Sequence, residues 1–292
     1  MGLIPLKCGI LPGESTAVVM RLNEPLRAYL EMRLRMPVQL IVGSNYAETG
    51  DSLRSGRIDI AYLGPVAYIL QSRSAHLEPF ARPTHPDVGP TFQAAIIVPQ
   101  DSPANTLADL KGMEVAFGDL ASTSGSWVPR YQLFEEGLVA DRDYTRRNLG
   151  AHDAVATAVV NRQVAAGGIS LPIFLRLIRD EKIKPNKVKI LAVSKPIPEY
   201  MWTFRADIPS DLRAKIRNAF INLEDPAALG VFRADSFIPA VDPDVDRVRH
   251  WMEAILQTKL KPSALPWPPT QSGFRAKPNA DENSVMCQFI NQ

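Results

Sequence analysis

Short apolar runs alternate with longer segments whose apolar residues recur every three or four positions. That alternation constrains the fold more than any other feature of the sequence. "LKCGILP" (6–12), "PVQLIVG" (37–43), "IDIAYLG" (58–64), "MEVAFGD" (113–119), "VAAGGI" (164–169) and "KVKILAVS" (187–194) read as strands, and "TFQAAIIVP" (91–99) is a longer apolar run. Between them, residues 15–34, 47–56, 65–72, 124–136, 153–163 and 171–180 carry helical spacing, with Ser15 and Thr16 or Pro65 at a start and Gly56 or Gly137 at an end. Strands and helices in turn predict an α/β fold of parallel sheets covered by helices through right-handed crossovers. Residues 209–223 and 242–260 read as further helices. Residues 261–292 are rich in proline and lack sustained periodicity, so they read as a disordered tail or linker, an ordered arm being the alternative.

Composition removes several function classes. The 292 residues carry 33 Lys and Arg against 31 Asp and Glu, a net charge of +2, with no basic run, which gives no footprint for nucleic acid. No apolar run is long enough to span a membrane. The opening "MGLIPLKCGILPG" lacks the basic and long apolar regions of a secretory signal, so none is expected in this chain; a cytoplasmic protein and a mature exported domain both fit. Cys8 and Cys287 could pair once but cannot build a thiolate cluster, and His76, His85, His152 and His250 show no HExxH spacing. No metal and no cofactor is expected.

The stretch "DLASTSGSWVPRY" (119–131) sets Ser122, Thr123, Ser124 and Gly125 between a strand and a helix. A helix start offers unpaired amides and partial positive charge, small residues let an oxyanion approach, and hydroxyls add donors. No Lys follows, so this is not a Walker A loop. A simple helix cap with turn residues is the alternative. His152, in "LGAHDAVATAVV", stands at a second strand-to-helix junction and could donate to the same anion, although it too could be a cap or surface residue.

With "DIAYLGP", "ASTSG", "HDA", "DLKG" and "KPIP" in this order, the chain resembles the phosphate/phosphite/phosphonate substrate-binding proteins of ABC transporters over about residues 5–256. The resemblance implies a type II periplasmic binding protein fold: two doubly wound α/β lobes joined by two crossing strands, closing on ligand by hinge motion. Lobe one would be 1–94 plus 200–260 and lobe two 95–199, with "TFQAAIIVP" and "KILAVSKPIP" crossing. It implies that Ser122, Thr123 and Ser124 grip the oxyanion, that His152 is an anion-binding histidine, and that Tyr46 lines the pocket. Tyr62 would face the cleft, or else the core. Glu14 reads as a solvated residue at the cleft mouth.

Phe92 stands where this family usually has a tyrosine, and Tyr200 and Ser170 or Pro172 occupy positions where aminoalkylphosphonate binders place acids, with Glu199 adjacent. An ammonium without a carboxylate partner is costly to bury, so phosphate, phosphite or methylphosphonate is the expected ligand class. The resemblance implies a monomer in the periplasm that serves a membrane ABC permease. A sensor that presents an oxyanion to a histidine kinase, arsenite included, is the first alternative. An enzyme of small phosphoesters, with His152 as acid–base and Ser122 or Ser124 as nucleophile, is the second. A domain that kept the fold and lost the ligand is the third.

Overall fold

The computed structural model describes residues 4–260. The tail predicted for 261–292, and any pairing of Cys8 with Cys287, lie outside the described residues. In chain order, β1 (Leu6–Ile10), α1 (Thr16–Leu34), β2 (Val38–Val42), α2 (Tyr46–Arg54), β3 (Ile60–Leu63), α3 (Pro65–Ser72) and β4 (Leu77–Thr84) come first. Next are β5 (Thr91–Phe92), β6 (Ala94–Pro99), β7 (Glu114–Phe117), α4 (Val128–Glu135), β8 (Thr145–Asn148), α5 (His152–Val160), β9 (Ala166–Ser170), α6 (Leu171–Arg179) and β10 (Val188–Val193). β11 (Ile197–Pro198), β12 (Met201–Arg205), α7 (Ser210–Ile221), α8 (Pro226–Phe232), β13 (Ser236–Ile238) and α9 (Asp246–Leu260) follow.

The strands form two main sheets. One has the order β13-β4-β12-β3-β1-β2 and the other β10-β6-β9-β7-β8. In the first, β1 runs parallel to β2 and β3; in the second, β7 runs parallel to β8 and β9. The expectation of parallel sheets is corrected at the strands next to the crossings. β12 is antiparallel to β3 and β4, and β6 is antiparallel to β9 and β10. A chain that leaves one sheet for the other enters from the opposite end, so its first strand must run against its neighbours. β5 and β11 are the passages themselves and pair with each other, Phe92 opposite Ile197. The run 91–99 is therefore two strands, parted at Gln93, whose amide side chain donates to the Ser194 carbonyl at 2.7 Å.

Each sheet is packed on both faces. On one face of the first, Leu26 and Leu30 of α1 meet Leu6, Phe80, Phe204 and Phe220, and the Phe80 and Phe204 rings stack at 3.9 Å. Tyr46, Leu53, Ala61, Val66 and Ile69 fill the other. In the second sheet, Ala95, Ile97 and Ile169 pack under Val155 and Val159 of α5, while Ile96, Val98 and Phe117 face Leu133 of α4. Strand residues buried on both faces read as unbroken apolar runs, which is why the alternation marked them. Leu77–Thr84 was not apparent as a strand because Pro79 and Pro83 interrupt it. Pro79 sits opposite Thr203, where the register of β4 against β12 shifts, and an irregular ladder tolerates a missing amide.

Candidate functional site

Loops at the carboxyl ends of strands from both sheets meet around a cleft of about 190 Å³, and several helices begin there. From the first sheet come Gly13 and Glu14 before α1, and Tyr46 at the first position of α2. Asn45 fixes that start: its side chain accepts the Glu48 amide at 2.8 Å. From the second come the hydroxyl turn, His152 at the first position of α5, and Ser170 at the N-cap position of α6.

The turn is wider than a plain capped helix. Thr123–Trp127 forms a single π-type turn before α4: the Trp127 amide donates to the Ser122 carbonyl five residues back at 3.1 Å. Ser122 caps it, its hydroxyl accepting the Gly125 amide at 3.1 Å. π-type turns inside helices are rare and gather at functional positions. Thr123 and Ser124 stand first in this turn, where amides find no intrahelical acceptor.

His152 lies against this turn. A Cβ on Gly125 would come 2.8 Å from His152 Cε1 and 2.9 Å from Ser122 Oγ, so only glycine allows the approach. The His152 ring is 2% exposed, and burial lowers its pKa to about 4. The Ser170 amide donates to Nδ1 at 3.2 Å, so the neutral ring carries its hydrogen on Nε2 and acts there as a donor. The two junctions singled out in the sequence, 122–124 and 152, are therefore neighbours.

The other predicted residues divide between the cleft wall and the layer behind it. Tyr46, Tyr62, Phe92, His152 and Tyr200 line the cleft. Ser122, Thr123 and Ser124 are fully buried just behind Tyr46 and Tyr200. The Tyr46 hydroxyl faces Ser122 and Tyr200. The Tyr200 hydroxyl also faces Ser124, whose Oγ is a buried hydroxyl lacking a hydrogen-bond partner. Burial raises both phenols, Tyr200 to about 12, and they remain protonated donors. Thr123 Oγ1 accepts the Val66 amide at 3.0 Å and so ties the turn to the start of α3. Tyr62 serves both roles weighed for it: it borders the cleft and its ring packs on Tyr200, Trp202 and Phe232 at 5.1–5.3 Å. Phe92 meets Tyr200 edge-on at 5.7 Å.

Further bonds join the two sides. The His152 amide donates to the Gly13 carbonyl at 3.1 Å, the Tyr46 amide donates to Asp119 Oδ2 at 3.1 Å, and Arg176 of α6 pairs with Glu14. Glu14 is thus not the solvated residue expected: its side chain is 9% exposed and matched by a guanidinium. Glu199 borders the cleft, but its carboxylate accepts from His85 Nε2 at 3.0 Å and from the Tyr200 amide at 2.9 Å, with Arg233 at 3.6 Å. Ser170 lines the cleft as its place at a ligand position implied, but its amide bond to His152 was not foreseen, nor were the roles of Asp119 and His85. Their partners are 18 to 114 residues away or main-chain groups, and no local pattern marks such pairings.

Among the described residues no cluster of three or more His, Cys, Asp or Glu could hold a metal, and no helix is long and apolar enough to cross a membrane. Cys8 is fully buried in β1, where burial drives its thiol pKa well up, so it offers no thiolate to arsenite.

Two α/β lobes, two crossing strands and a cleft walled by helix starts define the type II periplasmic solute-binding class. The chain belongs to the family described as "ABC transporter, phosphonate, periplasmic substrate-binding protein", whose model matches residues 8–245. The phosphonates-binding periplasmic protein of Escherichia coli (strain K12) is 28% identical over 221 residues; the match spans 74% of this chain and 65% of that protein, just under two thirds of its length. A binding protein component of an ABC phosphonate transporter from Pseudomonas aeruginosa superposes with a TM-score of 0.82 at 22% identity, over 99% of this chain and 95% of the other. PhnD1 of Prochlorococcus marinus, solved with methylphosphonate, gives a TM-score of 0.79 at 18% identity, over 86% and 98%. The family description is that of a transporter component, and it lends nothing to the sensor alternative.

Proposed function

We propose that this chain is a periplasmic solute-binding protein that captures a phosphorus oxyanion of the phosphate, phosphite or methylphosphonate type between two lobes, 1–94 plus 200–260 and 95–199, and hands it to a membrane ABC permease. The observation that carries this reading is the packing of the His152 imidazole on Gly125 of the hydroxyl turn. It brings two helix starts and their donors to one point. Ser122, Thr123 and Ser124, with the first amides of their turn, form the polar layer directly behind Tyr46 and Tyr200 and are the groups an oxyanion would reach by entering between these rings. Tyr46, Tyr200 and His152 Nε2 close on it from the cleft, and Tyr62 and Phe92 wall it. Each donor to a charged oxygen contributes about 1.5–3 kcal/mol, and a handful of them, less the cost of immobilisation, reaches about 8 kcal/mol, or micromolar affinity. Family membership and the methylphosphonate bound to the structural relative support the ligand class.

The same geometry argues against a phosphoesterase. Nδ1 of His152 is occupied by the Ser170 amide and Nε2 is a donor, so the neutral ring has no lone pair with which to deprotonate Ser122 or Ser124. Titration calorimetry with methylphosphonate, phosphite and phosphate tests the proposal. Heat and a rise in Tm with at least one of them is the expected result. Silence toward all three ends the assignment and favours a domain that has lost its ligand.

A further inference from the structure

Resting on that reading, we infer that the ligand carries an uncharged apolar substituent several carbons long, so that the preferred substrate is an alkyl- or arylphosphonate larger than methylphosphonate and lacking an amine. The cleft extends beyond the donors. Its volume of about 190 Å³ compares with roughly 10–15 Å³ needed on the same measure to hold one water. That is far more room than a lone tetrahedral anion fills. Its lining includes the aliphatic and aromatic side chains of Val19, Leu22, Ile173, Val231 and Phe232; of the polar residues beside them, Asn23 spends its amide on the Val19 carbonyl and Arg233 brings positive charge. Two carboxylates border this space, and both are matched within the chain. Glu14 pairs with Arg176, and Glu199 is held by His85, Arg233 and the Tyr200 amide. An incoming ammonium would find neither acid free and would lose its hydration without a partner, whereas methylenes against Val19, Val231 and Phe232 gain by leaving water.

The test is a ligand series on the intact chain by titration calorimetry: methylphosphonate, n-butylphosphonate and 3-aminopropylphosphonate, the last two nearly equal in length and shape. Each buried methylene contributes about 4-fold in affinity, so butylphosphonate is expected to bind some tens of fold tighter than methylphosphonate and at least about tenfold tighter than the amine. A gain under about threefold over methylphosphonate, or an amine that binds as well as the butyl compound, overturns the inference while leaving the oxyanion site intact. Absence of binding by all three, and by phosphite and phosphate, overturns the oxyanion reading itself. Val231→Glu, which sets an added carboxylate among the apolar side chains of the lining, is expected to reverse the order of the butyl and aminopropyl ligands; an unchanged order places the substituent elsewhere and likewise overturns the inference.

Discussion

Ser170 holds His152 in one tautomer: its main-chain amide donates to Nδ1 at 3.2 Å and leaves the hydrogen on Nε2. Because the donor is backbone, no side-chain change at position 170 removes it except proline. The ring stands ready as a neutral donor without needing a proton from solvent.

The burial that keeps this ring neutral makes stability depend on pH. The folded pKa falls from 6.5 to about 4, so the unfolded chain takes up the extra proton first as pH drops. The His152 contribution is flat above about pH 6.5 and declines between there and pH 4, by about 3 kcal/mol at 1.36 kcal/mol per pH unit. Denaturant melts of the ligand-free protein measure the slope. His152→Ala should flatten it and weaken oxyanion binding about 10- to 100-fold through loss of one donor to a charged oxygen. A slope unchanged in the variant would assign the effect to other groups.

His85 acts with the opposite sign. Nδ1 faces the Arg233 carbonyl and Nε2 the Glu199 carboxylate, each at 3.0 Å, and only the doubly protonated ring donates to both. Glu199 raises its pKa, partly opposed by burial and by the Arg233 charge. The resulting stabilisation is complete below pH 6.5 and is lost as pH rises through the raised value. His85→Phe is expected to lower Tm most at acid to neutral pH and least at alkaline pH; an equal loss at every pH would contradict the charged pair.

Gly125→Ala tests the packing of ring on turn. The added methyl would meet His152 Cε1 at 2.8 Å and Ser122 Oγ at 2.9 Å, contacts that ordinary carbons do not make. Displacing the ring should cost about 1–3 kcal/mol of stability and abolish measurable oxyanion binding, readable by thermal shift and calorimetry. Gly137→Ala, where nothing lies within 4 Å of the new carbon but φ is +78°, controls for backbone strain and should leave binding unaltered.

Phe92→Tyr would supply a hydroxyl that the cleft wall lacks. A net gain of about 1 kcal/mol for the added hydrogen bond predicts roughly 5-fold tighter methylphosphonate. Unchanged affinity would show that the ring edge points away from the bound oxygens.

How much of this was legible in the sequence differs by element. Buried strands such as Ile60–Leu63 and Ala94–Pro99 announced themselves by apolar runs, and Pro65 marked the start of α3. The edge strand Thr145–Asn148, "TRRN", did not, since a strand paired on one side only needs no apolar face. "STSG" and His152 were readable because small, hydroxylated and imidazole side chains at strand-to-helix junctions have few uses. The π-type turn was invisible: its i→i+5 bond is decided by packing, and its composition suits an ordinary cap. The matching of Glu14 to Arg176, 162 residues on, depends on how two lobes meet, which no window of sequence contains.

The bonds between the lobes have one more consequence. Val66 N–H to Thr123, His152 N–H to the Gly13 carbonyl and Tyr46 N–H to Asp119 all use main-chain amides. Beside them the lobes share apolar packing, with the Tyr131 ring stacked on Trp251 at 5.3 Å and Val128 in one cluster with Val66, so parting the two halves costs both kinds of contact.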